Sequence, residues 1–274
     1  EPMRETKNLI ESFDLTWEGI ENLPHDHWEQ ILLGGIGRDE QMANVTRMME
    51  NMSRVGVPIL GYCFSIASVT GHWRNYDGGG RGGANLKSFD VERIPENSTH
   101  QSGPVSVEQM WQQLKWFLDH AVPVAERIGV KLAAHQDDPP MEVLQGTGRM
   151  MTNHDAMQRL LDYAPSPCNG LEFCQGTVSE MGTATVIGAI RRFGGQGKIF
   201  YVHFRNVRGG FPKFDEVFID EGDVNMIAAL KAYRAAGSTA AGTADIRWLV
   251  DKWCGIRLFA PSQWRYPRPD TSSE

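Results

Sequence analysis

The sequence has few cysteines, and their number and spacing exclude a zinc finger and a disulfide-rich domain. Four occur in 274 residues, at Cys63, Cys168, Cys174 and Cys254. None follows another at the CxxC spacing of a zinc finger. Four thiols are also too few for a disulfide scaffold in a chain of this length. We therefore expect reduced thiols and a cytoplasmic location.

Long apolar runs and basic patches are scarce as well. No apolar stretch approaches the ~18 residues that a membrane-spanning helix needs, and Glu1 opens no signal-peptide pattern. The formal net charge is −7, without the basic stripe that a nucleic-acid-binding surface requires. Neither a membrane nor a nucleic acid is therefore an expected partner. A small anionic substrate remains compatible, because a local Arg can reverse the field inside a pocket.

Motifs of several common enzyme classes are missing. The sequence contains no GxSxG of a serine hydrolase and no HExxH of a zinc peptidase. The glycine-rich residues 76–84 lack the strand–GxGxxG–helix context and the GK[ST] of phosphate-binding loops. We therefore interpret residues 70–105 as an inserted loop or lid over a pocket.

What the sequence does contain is a repeated pattern of apolar runs that end on metal-binding residues. Residues 131–135, 170–174 and 199–203 are strand-like and end on His135, Cys174 and His203. Helical stretches separate them, as in a parallel α/β sheet or barrel, where functional groups collect at the carboxyl ends of the strands. We predict that these three side chains converge on one divalent ion.

The residue types narrow the choice of ion. Two imidazoles and a thiolate suit Mn²⁺, Fe²⁺ or Zn²⁺, with a carboxylate to complete the set, whereas Mg²⁺ and Ca²⁺ prefer oxygen ligands. Each residue by itself has a simpler explanation, because a single His or buried Cys is usually structural. A metal-free nucleophilic pair of Cys174 and His203 is the competing chemistry.

The order of predicted elements favours a parallel α/β sheet or a (β/α)8 barrel, as a single domain over residues 1–274. Strands are predicted near residues 15, 58, 131, 169 and 199, with a long helix capped by Ser106. A closed barrel needs three more strands. The chain opens with a helix, as if one or two strands were absent before it, and residues 237–274 form an irregular, divergent tail. We therefore expect an incomplete barrel.

Six blocks of sequence resemble the mannonate dehydratase family, which converts D-mannonate to 2-keto-3-deoxygluconate in hexuronate breakdown. They are residues 15–24, 56–64, 135–140, 171–177, 202–207 and 221–224. The resemblance implies a metal-dependent TIM barrel that uses Mn²⁺ or Fe²⁺, with His135, Cys174 and His203 as ligands. It also implies a fourth ligand, for which Asp245 is the candidate, although Ile246 stands where the family has a histidine.

Dehydration of a sugar acid removes a proton next to a carboxylate and releases a hydroxyl as water. Arg205 follows His203 on the same side and is predicted to clamp the carboxylate. The acid and base that the reaction needs are predicted among His25, Tyr201 and Asp223. The predicted substrate-binding residues are Trp17, Glu21, Asn22, Arg74 and Asp137.

Two alternatives to this function stay open at the level of sequence. One is a different metal-dependent sugar isomerase or epimerase on the same barrel. The other is a truncated remnant that binds metal or sugar acid without turnover, which Ile246 and the irregular termini favour. A homo-oligomer is also compatible with the sequence.

Overall fold

The computed structural model describes residues 1–67, 73–75, 79–95, 98–239 and 247–249, and of residues 73–75, 238–239 and 247–249 it describes the backbone alone. Three of the predicted features therefore fall outside the description. They are Asp245, Ile246 and the side chain of Arg74. Most of the predicted tail over residues 237–274 also lies outside the described residues.

The described strands alternate with helices for most of the chain. In chain order the strands are β1 (Gly19–Glu21), β2 (Ile59–Tyr62), β3 (Trp73–Asn75), β4 (Leu86–Asp90), β5 (Lys131–His135), β6 (Val143–Leu144), β7 (Thr147–Gly148), β8 (Asn169–Cys174), β9 (Ile199–His203), β10 (Asn206–Gly210), β11 (Lys213–Val217) and β12 (Arg247–Leu249).

The α-helices are α1 (Pro2–Glu11), α2 (Glu29–Leu33), α3 (Arg38–Val55), α4 (Val107–Ile128), α5 (His154–Tyr163), α6 (Gln175–Glu180), α7 (Val186–Gly195) and α8 (Met226–Thr239). Short 3₁₀ helices span His25–His27, Arg81–Gly83, Val91–Arg93 and Thr183–Thr185. None of the helices in the described ranges is long and apolar enough to cross a membrane.

The main sheet has the topology of a barrel. Its six described strands are all parallel and follow the order β1-β2-β5-β8-β9-β12, so each new strand joins the same edge. The sheet is strongly curved. Glu21 of β1 and His203 of β9 lie four strands apart in this order, yet Oε2 of Glu21 is 3.3 Å from Nε2 of His203. The predicted TIM-type barrel is confirmed for the part of the chain that the structure describes.

The strands have one face toward the helices and one toward the barrel interior. In β5, Leu132 and Ala134 pack in the large core under the helices, whereas Ala133 belongs to a separate inner cluster with Ile59, Phe200 and Tyr201. Side chains alternate in this way along any strand. The residue two positions after Ala133 is His135, which therefore points to the interior at the carboxyl end of the strand.

Helix α4 shows how local sequence fixes an element beside this sheet. Ser106 and Gln109 form a reciprocal capping box, with N–H to oxygen distances of 3.1 and 2.8 Å, as the predicted cap requires. The helix ends at Gly129, whose positive φ of 73° an L side chain rarely adopts. Its apolar stripe, which includes Trp111, Leu114 and Phe117, is buried and seats the helix against the barrel.

A second sheet, which the sequence did not predict, lies next to the barrel mouth. It is antiparallel with the order β10-β11-β4-β3, and β10 begins three residues after His203. Strands β3 and β4 fall in residues 70–105, so part of the predicted loop is strand. Its role as a lid stays a prediction. The sequences of β10 and β11 show no regular alternation of apolar and polar residues that would predict strands, because Gly209, Gly210 and charged residues interrupt them.

Candidate metal centre

The carboxyl ends of three adjacent strands bring His135, Cys174 and His203 together. Each is the last residue of its strand, β5, β8 or β9. All three are buried, and one donor atom from each lies within 4.8 Å of the others. Donors bound to one cation at about 2.0–2.3 Å are at most about 4.5 Å apart, so the separations are close to those of a loaded site. The donor set therefore suits a divalent metal.

Hydrogen bonds hold two of these candidate ligands in fixed orientations. Nδ1 of His135 contacts the carbonyl oxygen of Gln136. Because a carbonyl oxygen only accepts hydrogen bonds, Nδ1 carries the proton, and Nε2 is the nitrogen whose lone pair can bind a metal. The Gln136 side chain continues the arrangement, since its Oε1 accepts a hydrogen bond of 2.9 Å from the backbone N–H of Cys174. One short segment after β5 thus orients ligands on two strands.

The electrostatic environment favours a thiolate at Cys174. Burial acts to raise the pKa of this thiol, but the guanidinium of Arg205 and the two neighbouring imidazoles hold it well below its ordinary value. For His135, burial opposes protonation, yet Cys174 and the charge of Glu172 raise the pKa to about 9. A cation uses the same lone pairs as these protons, so metal loading releases protons.

Two carboxylates extend the site on the other side of His203. Its Nε2 lies 3.0 Å from Oε1 of Glu172 and 3.3 Å from Oε2 of Glu21. A donor atom from each of Glu21, Glu172 and His203 also lies within 4.8 Å of the others. Glu21 was predicted to bind substrate, but Glu172 was assigned no role. The sequence did contain an indication of a role for Glu172, because it is a charged residue two positions before Cys174, on the same face of a largely apolar strand.

Comparison with known proteins identifies the family. The profile of D-mannonate dehydratase (UxuA) matches residues 1–103 and 84–246, which together span most of the chain. The chain belongs to the D-mannonate dehydratase family. The predicted family, an enzyme family of hydro-lyases, is thereby confirmed.

Individual members of this family resemble the chain over most of its length. Mannonate dehydratase 2 of Halalkalibacterium halodurans is 30% identical in an alignment of 260 residues that covers 85% of this chain and 74% of that protein. The crystal structure of mannonate dehydratase from Streptococcus suis serotype 2 has a TM-score of 0.73 at 26% identity and covers 85% of this chain and 68% of that one. A second solved structure shares the fold alone. The D-psicose 3-epimerase of Clostridium cellulolyticum H10 has a TM-score of 0.55 at 12% identity and covers 86% of this chain and 65% of that one.

In this family member Arg205 is buried among protein carboxylates. Its Nη2 donates to Asp138 Oδ2 at 2.8 Å and to Glu180 Oε1 at 3.0 Å, and its Nη1 donates to Glu216. Nη2 also lies 3.4 Å from Cys174 Sγ. The approach requires a glycine at 176, where a Cβ would be 2.0 Å from Nε of Arg205. These contacts support positioning of the thiolate, and the predicted substrate clamp stays a prediction.

Asp137 is likewise engaged by the protein. Its Oδ2 accepts hydrogen bonds of 2.8 Å from the backbone N–H groups of both Met150 and Met151. Its Oδ1 lies 3.3 Å from Nε of the fully buried Arg149. The carboxylate thus ties the loop after β5 to the segment after β7. Its predicted contact with substrate is not tested by these interactions.

The three predicted acid–base residues occupy different surroundings. Tyr201 adjoins the metal donors, with its ring 5.7 Å from that of His203. Burial, together with the charge of Glu172, raises the pKa of Tyr201 well above its ordinary value, so its hydroxyl keeps its proton. His25 lies in the turn after β1 with Nδ1 3.5 Å from Glu29. Asp223 is exposed and accepts a hydrogen bond of 2.7 Å from the Gly209 N–H.

Trp17 and Asn22 lie on either side of β1. The indole N–H of Trp17 donates to the carbonyl of Gly19 at 2.8 Å. The backbone N–H of Asn22 donates to the carbonyl of Gly61 at 2.9 Å, and Asn22 has a positive φ of 62°. Both residues flank Glu21 in sequence, and their side-chain contact with substrate remains a prediction.

Proposed function

We propose that this chain catalyses the metal-dependent dehydration of D-mannonate to 2-keto-3-deoxy-D-gluconate. The observation that carries the proposal is the convergence of His135, Cys174 and His203, within 4.8 Å, in a member of the D-mannonate dehydratase family. Relatives named mannonate dehydratase match most of the chain, which supports a sugar acid as the substrate class.

We assign Mn²⁺ or Fe²⁺ to the site, held by His135, Cys174 and His203, with Asp245 as the predicted further ligand. The mixture of imidazole and thiolate favours such borderline ions over Mg²⁺. The cation supplies electrostatic stabilisation of the negative charge that develops next to the substrate carboxylate.

The surrounding residues prepare the site for this chemistry. Arg205 keeps Cys174 ionised, and the Gln136 carbonyl keeps Nε2 of His135 available. Tyr201 retains its proton at neutral pH, so in this proposal its hydroxyl donates a hydrogen bond or a proton and does not act as the base. Glu21 both approaches His203 and keeps 40% of its side chain exposed, so in this proposal it is the carboxylate that contacts the substrate.

The test combines metal analysis with a turnover assay. The purified chain is stripped of metal, reloaded separately with Mn²⁺, Fe²⁺, Co²⁺ or Zn²⁺, and supplied with D-mannonate. We expect about one metal per chain and a product that has lost one water. An isomerase or epimerase would conserve the substrate mass. Failure of every metal to support turnover would leave the chain as a non-catalytic remnant and overturn the proposal.

A further inference from the structure

Glu172 is a fully buried carboxylate beneath the metal donors. It lies in β8 two residues before Cys174 and has no exposed surface. Residues two apart in a strand share a face, so both side chains point into the barrel. Glu172 is longer than Cys174, and its carboxylate can therefore approach the same point from a deeper position in the strand.

The partner of this buried carboxylate is a predicted metal ligand. Oε1 of Glu172 lies 3.0 Å from Nε2 of His203, and donor atoms of Glu21, Glu172 and His203 lie within 4.8 Å of one another. Neither carboxylate oxygen is in a hydrogen bond of ordinary geometry. A buried ionised carboxylate is costly unless it is well paired, and a cation bound to both Glu172 and His203 would pair it.

The other groups near His203 are also metal-binding types. Glu21 Oε2 lies 3.3 Å from the same Nε2 atom, and Cys174 belongs with His135 and His203 to a second, overlapping group of donors. The guanidinium of Arg205 is already in contact with three carboxylates. Two carboxylates and a thiol therefore adjoin two imidazoles, and this set of oxygen, sulfur and nitrogen donors suits a dication.

Strand β2, which is two positions from β8 in the sheet, leaves space for this arrangement. A Cβ on Gly61 of β2 would lie 2.6 Å from Glu172 Oε2 and 2.0 Å from the Tyr201 hydroxyl oxygen. Any side chain at position 61 would force both groups to move. The barrel interior is thus built around the carboxylate of Glu172.

We propose that Glu172 is an oxygen ligand of the metal centre and binds the same cation as His203. The proposal rests on the proposed metal-dependent function and adds a ligand to it. The competing explanation is a structural ion pair, in which Glu172 only orients the imidazole of His203.

Glu172→Gln separates the two explanations, because the amide has nearly the same shape but binds a divalent cation weakly. We expect its affinity for Mn²⁺ and Co²⁺, measured by chelator competition, to fall by at least about 100-fold, the upper end of what loss of an orienting group costs. The visible ligand-field spectrum of the Co²⁺ form should change, since the oxygen donor changes. The thermal midpoint of the metal-free protein should stay the same or rise, because a fully buried negative charge is removed.

The control is Glu126→Gln, which makes the same chemical change on the exposed face of α4 and should leave all three quantities unaltered. Glu172→Asp keeps the carboxylate and should retain more affinity than Glu172→Gln. An unchanged Co²⁺ spectrum in Glu172→Gln, or a lower thermal midpoint of its metal-free form, would overturn the proposal. If the wild-type chain itself binds no metal, the proposed function is refuted. If the wild-type chain and Glu172→Gln bind metal equally well, only the assignment of Glu172 as a ligand is refuted.

Discussion

Two acidic clusters lie side by side at the barrel mouth, and one of them includes its own cation. In the Arg205 cluster, the carboxylates of Asp138, Glu180 and Glu216 all contact the guanidinium. Lys87 adds a second positive charge 3.2 Å from Glu216. Each of these carboxylates thus contacts a positive charge within the protein.

The His203 cluster, made of Glu21, His135, Glu172, Cys174 and His203, is different. Glu21 and Glu172 approach the imidazole of His203, which is itself a predicted metal ligand. Cys174 links the two clusters, because its Sγ lies 3.4 Å from Nη2 of Arg205. The comparison indicates that one cluster stabilises the fold and favours the thiolate, whereas the donor set of the other suits a metal.

The largest effect is expected when a donor of the His203 cluster is removed. Cys174→Ala or His203→Ala should abolish metal retention and lower turnover at least ~10³-fold, because the cation loses a ligand that positions it. Metal content and D-mannonate turnover are measured under metal-limited conditions, with circular dichroism to verify the fold. Normal activity of either variant would refute the metal centre.

The Arg205 cluster should respond in stability. Arg205→Met removes the cation that three buried carboxylates share, so we expect the free energy of unfolding to fall by about 3–5 kcal/mol, measured by urea denaturation. Arg208→Met is the matched control, because Arg208 is half-exposed and lies 3.5 Å from Asp215 at the surface, where an ion pair contributes little. Equal effects of the two substitutions would contradict the structural role of Arg205.

Asp137 tests whether a carboxylate next to a metal ligand is structural or contacts substrate. Asp137→Asn weakens the bonds from the Met150 and Met151 N–H groups and from Arg149, so the free energy of unfolding should fall by about 1–3 kcal/mol. Both urea denaturation and steady-state kinetics are measured. A raised KM at unchanged stability would instead favour the predicted substrate contact.

The smallest effect concerns the pH dependence of stability through Glu180. Burial, and next the charge of Asp138, raise the pKa of Glu180 well above its ordinary value. A raised pKa stabilises the fold below the unfolded-state value, and this contribution is lost as pH rises through the folded-state value. Glu180→Gln mimics the protonated form and should make stability less dependent on pH above the ordinary carboxyl pKa, as measured by urea denaturation from pH 5 to 9. A uniform loss of stability at every pH would show that the pH effect lies elsewhere.

The local sequence was sufficient to predict the scaffold and its principal donors. Apolar runs at β5, β8 and β9 alternate with helices, and such runs pair as parallel strands in order. Because parallel strands end at the same edge, the last residues of these runs, His135, Cys174 and His203, were expected to meet. The capping box at Ser106 is equally local, since both of its hydrogen bonds join residues three apart.

Contacts between distant parts of the chain were decided only by the tertiary structure. Arg205 pairs with Asp138 and Glu216, and Glu21 reaches His203 across the curved sheet. The β10–β11 hairpin joins β4 more than a hundred residues earlier. Sequence spacing contains no information on such approaches. The sequence therefore determined which donors stand at the strand ends, whereas the curvature of the barrel decided which buried charges are matched by protein groups and which remain for a metal.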